Sequence, residues 1–103
     1  MGRLDGGLLD RVEDFCHRCL DVVEALGKQG RSPRIIDQLT GSSTTVGANL
    51  FEADESLSRK DFAKCVGIAL KELNETRFWL RLITRRKWIT ADRVAPSPAR
   101  PNN

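Results

Sequence analysis

The sequence predicts an all-α protein, an up-down antiparallel helical bundle. Apolar residues recur at alternating intervals of three and four along most of its 103 residues, which places one side chain per turn on a single seam. Two of these periodic segments open on helix-start signals. No segment reads as a strand.

The first seam is Leu8, Val12, Phe15, Cys19, Val22 and Leu26. It ends near Lys28, where Gly27 and Gly30 supply the residue type that accepts the left-handed conformation of a C-cap. Ser32 followed by Pro33 is an N-cap with proline at the first helical position, so a second helix runs from Pro33 to about Asp54. Its seam is Ile36, Leu39, Ser43, Val46, Leu50 and Ala53. The stretch from Ser42 to Glu52 is built almost wholly from small side chains. Thr44, Thr45 and Val46 are β-branched and Gly47 is flexible, so this helix is held by close neighbours rather than by its own propensity.

Ser58, with Asp61 three residues on, resembles a capping box and opens a third helix that continues to about Arg86. Phe62, Val66, Ala69, Leu73, Thr76, Leu80 and Ile83 hold an unbroken heptad repeat, which favours near-parallel bundle packing. Cys65, Ile68 and Trp79 flank that seam. Phe78 and Leu82 fall on nearly the opposite side, among Lys60, Lys64, Lys71, Arg81 and Arg85. Apolar residues ringed by charge mark a contact surface, so Phe78, Trp79 and Leu82 are the candidate oligomer or partner interface. Thr90 is a candidate N-cap for a further helix, but Pro96, Pro98 and Pro101 stop it at once. The expected organisation is a helical domain over 1–94 and a disordered Pro-rich tail over 95–103.

A chain of this length forms one domain with one core. No apolar run approaches the roughly 20 residues that cross a bilayer, and the N-terminus is not a secretory signal, so a soluble, cytoplasmic protein is expected. Cys16, Cys19 and Cys65 are odd in number and lie on apolar helical faces, which suits buried thiols in a reducing compartment. The formal net charge of +3 allows attraction to nucleic acid or acidic partners.

Signals for catalysis are weak. Cys16 and Cys19 have C-x-x-C spacing, but they sit inside a helix with no second ligand pair. His17 is the only histidine, and its neighbours Asp14, Arg18 and Asp21 form a solvated face. Glu72 and Glu75 lie three apart with Glu52 facing them, yet a di-iron bundle pairs such glutamates with a histidine that is lacking here. No cofactor, metal site or catalytic residue is assigned. The strongest cluster is Arg77, Arg81, Arg85, Arg86 and Lys87, five positive charges in eleven residues. Together with Trp79 and Trp88 it suits phosphate contacts and base stacking. The competing reading is that bases at a helix C-terminus complement its dipole.

Two stretches carry a resemblance. They are Gln38-Leu39, Ser42-Ser43, Val46-Gly47-Ala48-Asn49-Leu50 and Glu52, then Ser58-Arg59-Lys60-Asp61-Phe62 and Ile68 to Ile83. In these the chain resembles the bacterial four-helix bundle protein family, encoded by intervening sequences in large-subunit ribosomal RNA genes. The resemblance covers roughly residues 8 to 94. It implies a bundle that assembles into a homopentamer, and a related branch is a basic pentameric accessory of diversity-generating retroelements that binds reverse transcriptase and nucleic acid. Carried over, Gly47, Ala48, Asn49 and Glu52 are motif residues of the second helix, and Lys71, Glu72, Glu75, Thr76, Trp79 and Leu80 those of the third. They are expected to pack and to form polar pairs, with Asn49 reaching Glu72 or Glu75. The family continues into a fourth amphipathic helix where this chain has prolines, so the fourth helix is expected to be truncated or supplied by another chain.

The resulting expectation is a non-enzymatic oligomer that binds RNA or DNA through the basic end of the third helix. The alternative is a scaffold that binds a partner helix or an enzyme, in the manner of a reverse-transcriptase accessory, without touching nucleic acid.

Overall fold

The computed structural model describes residues 2–90. Among the described residues there are three helices: α1 (Gly6–Lys28), α2 (Pro33–Asp54) and α3 (Arg59–Arg85). The anticipated helix after Thr90 and the tail over 95–103 lie outside the described residues.

The start signals act as read. Ser32 Oγ accepts from the Ile35 amide at 3.4 Å, and Ser58 Oγ accepts from the Asp61 amide at 3.0 Å. Both α1 and α3 close with the same pair of C-terminal bonds. In α1 the Gly30 amide donates to Gly27 O and the Arg31 amide to Leu26 O. In α3 the Lys87 amide donates to Thr84 O and the Trp88 amide to Ile83 O. These bonds satisfy carbonyls that the helix itself leaves unpaired, and they require a left-handed residue. Gly30 takes φ 69° without steric penalty, whereas Lys87 takes φ 61° against its own Cβ.

Helix α2 is the middle element, packed against α1 on one side and α3 on the other, while α1 and α3 barely approach each other. Both pairings are antiparallel. Val12 lies against Gly47 and Cys16 against Ser43, and on the far side Cys65 meets Glu52 while Thr76 meets Ser42. The main core gathers Val22, Leu26, Leu39, Ile83 and Ile89, where the C-terminal ends of α1 and α3 converge on the start of α2. At the opposite end the first residues strap the α2–α3 turn. Arg3 N donates to Asp54 O, Leu4 N to the Asp54 carboxylate at 2.7 Å, and Arg3 Nε to Ser56 O.

The small-residue run sets how closely α2 is approached. A Cβ added at Gly47 would sit 2.7 Å from Cys16 Sγ, inside van der Waals contact, so α1 packs where only glycine leaves room. On the other face the hydroxyls of Thr76 and Ser42 are 2.9 Å apart, and Thr76 Oγ1 is 2.8 Å from Glu72 O. Each hydroxyl has one proton, so Thr76 gives its proton to the carbonyl and accepts that of Ser42. This buried link fixes the register of α3 on α2.

Candidate nucleic-acid interface

Arg77, Arg81, Arg85, Arg86 and Lys87 are all exposed, as are Arg59, Lys60, Lys64 and Lys71 further back on the same helix. At about 100° per residue, Arg59, Lys60, Lys64, Lys71, Arg77, Arg81 and Arg85 fall within one outward arc of α3, from which its acids Asp61, Glu72 and Glu75 are absent. That arc runs for about 39 Å along the helix axis at a rise of about 1.5 Å per residue. Among the described residues no basic side chain of α3 lies within ion-pairing distance of a carboxylate. The single such pair is His17 with Glu13, at 3.7 Å on the surface of α1. The basic side chains of α3 are therefore not tied up in direct ion pairs; of these, Lys64 shares an open trough with carboxylates, those of Glu52, Glu55 and Asp61.

Phe78 stands on this face toward its C-terminal end, 56% exposed. Open troughs lie on both sides of it. One of about 280 Å³ is lined by Phe78, Arg81, Leu82, Arg85 and Arg86, and a more open one of about 420 Å³ by Asn74, Arg77, Phe78, Leu80 and Arg81. The ring packs edge-on to Trp79, centroids 5.0 Å apart.

The two tryptophans are placed differently from the sequence expectation of base stacking. Trp79 is half-buried against the core, and its indole N–H donates to Glu75 Oε2 at 3.1 Å. Trp88 is half-buried too, with the Arg31 guanidinium 4.6 Å and the Arg86 guanidinium 5.7 Å from its ring centroid. Both rings are already occupied. The stack adds Arg31, from the α1–α2 connection, to the basic end. Gln29 locks it in place by donating to Trp88 O at 2.9 Å and accepting from Arg31 Nε at 2.8 Å. Sequence periodicity gives no signal for this grouping, because its members lie 57 and 59 positions apart.

The motif residues of α2 divide. Gly47 is buried at the α1 contact, whereas Ala48 is exposed and makes no packing contact within this chain's core. Asn49 bonds within its own helix, Nδ2 donating to Thr45 O at 3.0 Å, rather than reaching Glu72 or Glu75. Exposed Glu52 accepts from Cys65 Sγ at 3.7 Å, Glu75 is bonded to Trp79, and the Glu72 carbonyl takes the Thr76 proton. Among the described residues no group of three or more His, Cys, Asp or Glu side chains is positioned to hold a metal ion.

All three cysteines are free. Burial pushes the Cys19 thiol up to about 11, with Cys16 adding to the effect and the Ser43 hydroxyl opposing it. Burial likewise raises Cys16, whose Sγ donates to Ser43 O at 3.3 Å. Cys65 is raised by desolvation and then by neighbouring Glu52. Each therefore stays a protonated thiol at neutral pH, unsuited to nucleophilic or metal chemistry. Among the described residues no helix is long and apolar enough to cross a membrane.

No curated protein matches this chain. Among solved structures it is similar to a protein of unknown function from the S23 ribosomal protein family of Bacteroides thetaiotaomicron VPI-5482, with 35% identity and a TM-score of 0.77. That match covers 84% of this chain and 80% of the other. A sequence profile described as the 23S rRNA-intervening sequence protein matches residues 8–97. The bundle, its small-residue second helix and this match together place the chain in the 23S rRNA-intervening sequence protein family.

Proposed function

We propose that this chain is a non-enzymatic protein that binds RNA or DNA against the outward face of α3, with Arg77, Arg81, Arg85, Arg86 and Lys87 as its principal phosphate contacts and Arg31 beside them. One observation carries the reading: an exposed arc of basic side chains in which no acid is interspersed. Basic residues kept only for solubility are usually mixed with acids. The dipole reading accounts for the last turn, since charge near a helix C-terminus acts within about one turn. It does not account for Arg77, Lys71 or Lys64, which stand two or more turns away. Assembly of several copies, which the family resemblance implies, would repeat the face around a ring and multiply its attraction for a polyanion.

Fluorescence anisotropy with labelled oligonucleotides tests this. Binding is expected at low salt and should weaken steeply as salt rises, with a log–log slope of about −0.7 for each phosphate neutralised on a single strand. The double variant Arg81→Glu, Arg85→Glu should lose at least about ten-fold in affinity, with its melting temperature kept because both side chains are exposed. Absence of binding at low salt would sink the proposal. The scaffold alternative draws on exposed Phe78 and half-buried Leu82. It predicts a contact that survives high salt.

A further inference from the structure

Resting on the nucleic-acid reading, we infer that the ligand is single-stranded, with an unpaired base stacked on the Phe78 ring and its flanking phosphates held by the arginines on either side. Three aromatic rings stand at the basic end, and two are spoken for. Trp88 lies beneath Arg31 and Arg86, and Trp79 is half-buried with its N–H given to Glu75. Phe78 is the one left open to solvent, and Trp79 braces it from one side. A ring held in place loses little freedom when it takes a ligand, which favours stacking.

Position matters as much as exposure. The troughs beside Phe78 each bring two or more arginines next to the ring, Arg77 with Arg81 on one side and Arg81 with Arg85 and Arg86 on the other. A strand laid over Phe78 thus meets cationic side chains both before and after the stacked base, the arrangement of an aromatic platform in a positive groove. A duplex fits less well. Its base faces are already stacked on one another, so it would engage the arginines and leave Phe78 facing water. An apolar protein surface fits less well again, since covering Phe78 would also desolvate the surrounding guanidiniums without supplying counter-charge.

The experiment uses the full chain at about 50 mM salt, with labelled single strands of about 12 uridines or thymidines and a duplex of the same length. The parent should bind the single strands at least about five-fold tighter than the duplex. Phe78→Leu, which keeps an apolar side chain and helix propensity but loses the aromatic face, should weaken single-strand binding by about five-fold to fifty-fold and leave duplex binding unchanged. Phe78→Trp should restore it, and Arg81→Ala should weaken both ligands. The inference is overturned if Phe78→Leu binds single strands as the parent does, or if the duplex binds equally well. It is also overturned if the substitution changes the native mass of the assembly rather than oligonucleotide affinity, which would place the ring in a subunit contact. Failure of the parent to bind either ligand would instead remove the nucleic-acid reading itself.

Discussion

The two seams of α2 are closed by different chemistry. Toward α1 the contact is a matter of shape: Gly47 leaves room for Cys16, and Cys19 fills the next position. Toward α3 it is a matter of direction, because the buried hydroxyls of Ser42 and Thr76 must be aligned to satisfy each other. A polarizable thiol tolerates burial without a strong partner, whereas a hydroxyl does not. One run of small residues therefore serves both neighbours, setting distance on one face and register on the other.

The largest test of this contrast is pH. The folded Cys19 thiol is raised from 9.0 to about 11, so its contribution is fully present below pH 9 and is lost as pH climbs through 11. Denaturant midpoints should fall over that window by an amount worth roughly 3 kcal/mol, and Cys19→Ala should flatten the slope. Cys16 and Cys65 shift in the same direction and add to it.

Next comes Thr76→Val, of similar shape and at a site with no exposure. It should cost about 1 to 2 kcal/mol by leaving the Ser42 hydroxyl with only the Leu39 carbonyl, 3.5 Å away, and adding Ser42→Ala should recover part of the loss. Gly47→Ala should destabilise by about 1 kcal/mol in the parent, where the new methyl meets Cys16 Sγ. In a Cys16→Ala background it should change sign and stabilise by up to about 1 kcal/mol through helix propensity. A double-mutant cycle by thermal melting reads both. The smallest effect is expected where the seams run out. Lys87→Gly should raise stability by about 0.5 to 1 kcal/mol by relieving the left-handed lysine, while weakening oligonucleotide binding.

Much of the architecture was legible because its signals are local. Ser32-Pro33, Ser58 with Asp61, and Gly30 mark boundaries within a few residues, and the heptads name the buried faces. Ser42 was not on the anticipated seam, since a helix packed on two sides buries a broader arc than one seam describes. Lys87 escaped notice because lysine does not advertise a left-handed cap. The basic cluster was visible in composition. The occupied state of Trp88 was not, because Arg31 reaches it across two helices.

The ties at the two ends of the bundle carry a kinetic consequence. Its helices pair with their sequence neighbours, so most contacts span short loops and the chain has the low contact order of a fast folder. The bonds of Leu4 to Asp54 and of Gln29 to Trp88 are among the longer-range polar links, joining residues 50 and 59 positions apart. Loop-closure entropy places such links late in folding. Both are clasps on a bundle already paired, so loosening either should speed unfolding while leaving the rate of folding almost untouched.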